Sequence, residues 1–286
     1  MLVAVDLDGT LIGESLVISA ADAAAIATAS RNSYHICLAS GRLFAASRPY
    51  AQQLGLRGPI IALQGAVAYD VESAQRLFCT PLSARTALEA YDYLHDRGFH
   101  MQLYYGDQLY LDALNEWAHY YLKLSRVEPV MVPRLRELLT GAPPVEPGPI
   151  KVLAIGSPQA VSATIPDLAG VMGPRANVFR SLPPFLEVTD PNANKGYALR
   201  RVAEILGVDM RDTVAIGDAD NDIPMFQAAA RSFVVAGGSD AARRVAQTIV
   251  PAQGEGVAYA LGLVQSEGAS PLRTASSEEE QAHEPA

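Results

Sequence analysis

Near the start of the chain an apolar run, Val3-Ala4-Val5, passes straight into Asp6-Leu7-Asp8-Gly9-Thr10, and this junction narrows the choice of fold more than any other stretch. An apolar run of this length that stops in Asp-Gly reads as a buried strand ending in a turn. Alternate side chains of a strand share a face, so Asp6 and Asp8 leave it pointing roughly the same way. Two like charges held that close repel, and a divalent cation or a shared proton relieves them. Gly9 permits the tight turn and Thr10 adds a hydroxyl that hydrogen-bonds within it. The alternative is a solvated Asp-x-Asp-Gly loop, and the remaining sequence decides between the two.

The order of elements that follows is that of an α/β protein. Ser19-Ala20-Ala21-Asp22 opens an Ala-rich helical run to about Ser30, with Ser19 as N-cap. His35-Ile36-Cys37-Leu38-Ala39 is a second strand, ending in Ser40-Gly41-Arg42 before a helical stretch from Leu43 to Leu54. Pro59-Ile60-Ile61-Ala62-Leu63 is a third, closing in Gln64-Gly65-Ala66. Strand, helix, strand, helix, strand is the order of a parallel sheet with crossover helices, and such sheets bind ligands at the carboxyl ends of their strands.

With 286 residues the chain has the length for such a core and an insert, and from Val67 the pattern changes. Val67 to Asp70 and Arg76 to Thr80 form a hairpin, and a helix runs from about Ser83 to Arg97. A second hairpin turns at Gly106-Asp107, a helix spans Leu114 to Leu124, and a Pro-rich loop covers Gly141 to Pro149. Lys151 to Ile155, Ala160 to Leu168 and Ala176 to Arg180 then read as strand, helix, strand. Hairpins in place of crossovers mark a separate α+β unit at residues 81–184, inserted in the parallel domain. The parallel pattern resumes with a strand at Phe185 to Val188 and a helix from Asn194-Lys195-Gly196 to Leu206. Thr213 to Ile216 is a strand ending in Gly217-Asp218-Ala219-Asp220-Asn221-Asp222, and a helix, a strand and a helix from Ile223 to Ala246 finish the core. The expected division is thus a discontinuous core at 1–80 and 185–264, an insert at 81–184, and a disordered tail at 265–286, where Ser, Glu, Ala and Pro recur without periodicity.

Polar residues suited to one task sit at four of these ends: Asp6 with Asp8, Ser40, Lys195, and Asp218 with Asn221 and Asp222. Magnesium takes hard oxygen ligands and keeps several waters, so Asp6 and Asp218 with backbone and water oxygens make a site for it. A phosphoryl group is the natural partner, because Lys195 brings a point charge, Ser40 and Asn221 bring donors, and the metal lets a carboxylate approach an anion. In this order, Asp6-Leu7-Asp8-Gly9-Thr10, Ser40-Gly41-Arg42, Asn194-Lys195-Gly196 and Gly217 to Asp222 resemble the motifs of the haloacid dehalogenase superfamily, in particular its Cof-like phosphatases. The resemblance covers about residues 1–263 and implies a Rossmann-like parallel core with an α+β cap. It further implies that Asp6 is the nucleophile and Asp8 the general acid/base. Asp6, the Asp8 carbonyl and Asp218 would bind magnesium, while Ser40, Gly41, Lys195 and Asn221 would hold the phosphoryl group. Thr10 and Asp222 would orient these groups. Gln64-Gly65 departs from the Asn-Gly that relatives commonly carry, and Gln64 is given no role.

The formal net charge of −9, without any long Lys/Arg block, excludes a phosphate-backbone binder. Neither a signal-peptide pattern nor an 18-residue apolar run is present, so a cytoplasmic enzyme acting on a small phosphorylated metabolite, without a membrane or nucleic-acid partner, is expected. Cys37 and Cys79 read as reduced core residues. His95, His100 and His119 lack metal-ligand spacing, Tyr104, Tyr105, Tyr110, Trp117, Tyr120 and Tyr121 read as core packing ahead of a surface presented to the substrate leaving group, and Arg42 suits a substrate or cap contact or a surface ion pair. The leading function is a magnesium-dependent phosphomonoesterase, with sugar phosphates as the first substrate class. A sugar phosphomutase is the second enzyme reading. A phospho-accepting receiver-like signalling domain is the non-enzymatic one, disfavoured because it needs neither Asp8 beside the nucleophile nor a long insert.

Overall fold

A computed structural model describes residues 1–268. The chain begins with β1 (Leu2–Asp6), α1 (Ala20–Arg31), β2 (His35–Ala39), α2 (Phe44–Gln53), β3 (Pro59–Ala62), β4 (Val67–Asp70) and β5 (Arg76–Cys79). It continues through α3 (Ala84–His95), β6 (His100–Tyr105), β7 (Gln108–Leu111), α4 (Glu116–Ser125), β8 (Val130–Met131), α5 (Leu135–Thr140), β9 (Pro149–Ile155), α6 (Pro158–Met172), β10 (Asn177–Leu182) and β11 (Phe185–Thr189). It closes with α7 (Lys195–Leu206), β12 (Thr213–Gly217), α8 (Ile223–Ala228), β13 (Arg231–Val235), α9 (Asp240–Val245), β14 (Thr248–Val250) and α10 (Gly256–Gly268).

Among the described residues the strands form two sheets. The first has the order β14-β13-β12-β1-β2-β3-β4-β5; it is parallel from β14 to β3 and antiparallel at the β4 and β5 edge. Strand β1 is buried along its whole length, which is why its sequence reads as a continuous apolar run. Its neighbours are β2, next in the chain, and β12, some two hundred residues on. The crevice of a doubly wound sheet opens where the strand order reverses in this way, so the ends of β1 and β12, carrying Asp6 and Asp218, lie side by side there.

The second sheet has the order β10-β11-β9-β6-β7-β8. One face packs through Val152, Ala154, Leu186 and Val188 against α3, α5 and α6. The other face turns toward the core domain, and its Tyr104, Leu153, Ile155 and Phe185 join the same apolar cluster as Leu7, Leu11, Leu43 and Leu63. The registers put Gln102, Leu153 and Glu187 abreast, and beside them Tyr104, Lys151 and Thr189.

Three expectations need correction. Phe185 to Val188 does not return to the parallel sheet: as β11 it pairs antiparallel with β9 and β10, so the insert extends past 184 to the end of that strand. The expected tail begins too early, because α10 runs through Gly268; residues 269–286 lie outside the described part. Strand β14 and helix α10, which the sequence reading passed over, complete the core. Helix α10 packs on α1, where Asp22 Oδ1 accepts a hydrogen bond from the Ala258 amide at 2.8 Å. Among the described residues no helix is long and apolar enough to cross a membrane.

Candidate active site

Asp6 ends β1 and is 4% exposed. Lys195, the first residue of α7 and fully buried, donates from Nζ to Asp6 Oδ1 at 2.5 Å and to Asp222 Oδ1 at 2.6 Å. Burial works to discharge this ammonium, but Asp222 and Asp6 outweigh it and hold Lys195 above its ordinary pKa. Asp6 itself is pushed upward by burial and by repulsion from Asp222, against the pull of Lys195. Asp222 Oδ2 accepts from the amides of Asp218 and Ala219 at 2.9 and 3.0 Å, closing the loop after β12. Thr10 Oγ1 donates to Asp218 Oδ1 at 3.1 Å, and burial together with Asp222 raises Asp218 to about 6.

These residues suit a hard divalent cation. Carboxylate oxygens of Asp6, Asp218 and Asp222 lie within 4.8 Å of one another. Asp222 has spent both oxygens on Lys195 and on backbone amides, which leaves Asp6 and Asp218 as donors, with no His or Cys among them. Gly9, at φ +89°, lies so close to Asp218 that any Cβ would overlap its carboxylate. A side chain there would close the cradle. Surplus anionic charge in a desolvated corner is what a cation relieves.

The carboxylate of Asp8 belongs to a different contact. Arg42 grips it with Nε to Oδ2 at 2.7 Å and Nη2 to Oδ1 at 2.5 Å, a fork that only Arg can present. Of the two roles left open for Arg42, the ion pair is the one seen, and it joins two site loops. Ser40 is fully buried, and its Oγ accepts from the Arg42 amide at 3.1 Å.

Gln64, given no role by the sequence reading, lies in the middle of the site. Leu63, Gln64 and Gly65 all have positive φ, at 50°, 61° and 97°. The first two are costly for residues with a Cβ. The turn is held because it touches three loops. Leu63 and Gln64 amides donate to the carbonyls of Arg42 and Ser40. Gly65 lies against the Asn194–Lys195 peptide, with no room for a Cβ. Gln64 Oε1 accepts from Asn221 Nδ2 at 2.9 Å, and its Nε2 lies over Gly41. In this arrangement Asn221 Oδ1 is buried without a partner. Turning both amides over preserves the contact, with Gln64 now donating, and pairs that oxygen.

Asp6, Asp8, Gly41, Asn221 and Asp218 thus line one chamber of about 340 Å³, together with Arg42 and Gln64. Ser40, Lys195, Asp222 and Thr10 are buried behind them. The insert roofs the chamber with Tyr121, Ser125, Lys151, Phe185 and Glu187 among others. Sequence reasoning missed Gln64, Lys151 and Glu187. Each carries a signal: Leu-Gln-Gly follows an apolar strand as Ala-Ser-Gly does after β2, and Lys151 and Glu187 are lone charges in otherwise apolar strands. Tyr104, Tyr105 and Tyr110 are core residues as expected, whereas Tyr120 is exposed. Cys37 is free and buried, its thiol pushed by burial up to about 12, and Cys79 is free and half-buried. His95 and His119 are exposed, and His100 is buried beside Gln102.

The family model described as haloacid dehalogenase-like hydrolase matches residues 3–261. The 5-amino-6-(5-phospho-D-ribitylamino)uracil phosphatase YitU of Bacillus subtilis is 26% identical, over 90% of this chain and 94% of its own. The pyridoxal phosphate phosphatase YbhA of Escherichia coli is 24% identical, over 87% and 92%. Among solved structures, TM0651 from Thermotoga maritima superposes with a TM-score of 0.79 at 28% identity, covering 92% of this chain and 96% of its own. These matches run through the insert as well as the strand ends.

Proposed function

The chain belongs to the haloacid dehalogenase-like hydrolases and is a phosphoric monoester hydrolase, and from that premise we propose that it works through an aspartyl-phosphate on Asp6, with magnesium, on small phosphorylated metabolites. The observation that carries this reading is the Lys195 ammonium held between Asp6 and Asp222. It balances one of the two carboxylates it touches, Asp6 at the end of β1 and Asp222 in the loop after β12, and so favours the ionised form of Asp6 as nucleophile against the burial that opposes it. Asp6 attacks phosphorus as the bond from phosphorus to the leaving oxygen breaks, and Asp8, released from the Arg42 fork and protonated from solvent, gives that oxygen its proton. Asp8 then takes a proton from water, the water oxygen attacks phosphorus, the Asp6–phosphorus bond breaks, and inorganic phosphate leaves.

Asp6, Asp218 and the Asp8 carbonyl would hold magnesium, which supplies the charge neutralisation a carboxylate needs to approach an anionic phosphoryl group. Ser40, Gly41, Lys195 and Asn221 hold the phosphoryl oxygens. Ser40 Oγ already accepts from the Arg42 amide, so its own proton is free to donate. A chamber of about 340 Å³ is at the small end of ligand sites, which favours sugar-sized substrates. The substrate in the name of YitU carries its phosphate on a ribityl chain, a polyhydroxyl group.

Phosphate release from a panel of phosphorylated sugars, nucleotides and cofactors, followed by rapid-quench mass spectrometry and peptide mapping, tests the reading. Label on Asp6 is expected. Label on Ser40 identifies a different nucleophile and refutes the mechanism.

A further inference from the structure

The roof of the chamber contains a charged pair with no part in the chemistry above. Lys151 on β9 and Glu187 on β11 are 2% and 3% exposed, and Lys151 Nζ lies 3.0 Å from Glu187 Oε2. This is a contact of charges without a directed hydrogen bond, since Oε2 has no hydrogen-bond partner. The ammonium also lies 4.5 Å from the centre of the Tyr104 ring. A carboxylate has about four acceptor sites and an ammonium three donors, so the pair is left with both kinds of capacity. Nearby, Ser125 Oγ is buried without a partner. Taking two charges out of water is costly unless their remaining hydrogen bonds are satisfied. Lys151, Glu187 and Ser125 all line the chamber.

We propose that Lys151 and Glu187 form the subsite that recognises the leaving group, and that the chemistry they select is a neutral polyhydroxyl chain or ring. The proposal rests on the phosphatase reading of the same chamber. A hydroxyl both donates and accepts, so of two adjacent hydroxyls one accepts from Lys151 while the other donates to Glu187. Leaving groups with a fixed charge fit worse. A second carboxylate or phosphate meets Glu187 when the charge of Lys151 is already balanced, and a cation meets the Lys151 ammonium. Phe185 and Tyr121, with ring centroids 5.5 Å apart, supply apolar surface for the carbon skeleton.

The closing experiment compares sorbitol 6-phosphate, hexyl phosphate, phosphoglycolate and 4-nitrophenyl phosphate on the full chain with magnesium. On the unmodified protein, kcat/KM for hexyl phosphate, which has the same carbon count without the hydroxyls, is expected to be at least tenfold below that for sorbitol 6-phosphate. Glu187→Gln is expected to lower kcat/KM for sorbitol 6-phosphate at least tenfold more than for 4-nitrophenyl phosphate, chiefly through KM, and to raise phosphoglycolate relative to both. Equal rates on sorbitol 6-phosphate and hexyl phosphate, or a parallel loss on all four in the variant, overturns the subsite while leaving the phosphatase intact. No hydrolysis of any of the four by the unmodified protein overturns the reading of the chamber and the subsite with it. The comparison of substrates on the unmodified protein decides the matter even if the variant folds poorly.

Discussion

Asp6 is the residue on which the other charges converge: Lys195 bonds it, and Asp218 and Asp222 repel it. Asp6→Asn replaces a nucleophile with a poor one and weakens a metal donor, so both turnover and phosphoenzyme should disappear; labelling that survives in this variant would assign the nucleophile elsewhere. Asp8→Asn removes general acid–base catalysis, typically worth about 10²–10⁴-fold. It should still permit some labelling from a phosphodonor with a good leaving group, which needs less protonation. Gln64 contributes in a smaller way. Its amide positions Asn221, and a hydrogen bond is worth about 1 kcal/mol net. Gln64→Ala is therefore expected to cut kcat/KM on 4-nitrophenyl phosphate roughly five- to tenfold, and Gln64→Asn to recover part of that. If the Ala variant matches the parent, the amide pair does not hold the site.

Helix α2 has no capping side chain of its own, because its N-cap residue is Leu43. The cap is supplied across the domains: Asp107, in the turn between β6 and β7, accepts from the Ala45 amide at 2.8 Å. Its other oxygen is buried without a partner. Burial outweighs the helix amides and raises Asp107 to about 6. For an acid whose pKa rises on folding, stability is fully present below the ordinary value and is lost as pH climbs through the folded one. Asn caps a helix as well as Asp does and does not titrate. The melting temperature of Asp107→Asn relative to the parent should therefore increase from pH 4 to pH 7, with most of the change below about pH 6. A difference that stays flat over this range, or falls, contradicts the account. The same turn was readable in the sequence as Gly106-Asp107 between alternating strands, but its contact with α2 was not, since the partner is sixty residues away.

The chamber lies between two sheets, and the proposed cation site draws on the ends of β1 and β12. Exhaustive chelation should abolish turnover reversibly, with magnesium restoring it best. A ligand that binds only the folded state raises its stability, so magnesium should also raise the melting temperature, and Asp218→Asn should diminish that rise. Full turnover in protein shown to be metal-free by elemental analysis would refute the dependence. The melting shift reports on the cation independently of activity.

Several features were written locally. A strand buried on both faces has to be apolar, and a turn after it has to use Gly, so β1, β2 and β12 and the polar residues at their ends are legible from a few consecutive positions. From those ends came the α/β core and Asp6, Asp8, Ser40, Asp218 and Asn221 as candidates, and from the start of α7 came Lys195. Pairing between distant strands is not local in this sense. Phe185 to Val188 reads as a short apolar strand despite Glu187, and only its hydrogen bonds to β9 and β10 assign it to the cap. Helix α10 has Gly262 in its interior, a weak helix former, and depends on α1 for its packing. Lys151 and Glu187 were given no role, because alternation shows that a side chain faces one side of a sheet without showing what covers that side. The covering domain made them a buried pair over the chamber. Gln64 entered the site for a related reason: three loops from distant parts of the chain meet at its turn and hold a backbone conformation that its own residues disfavour.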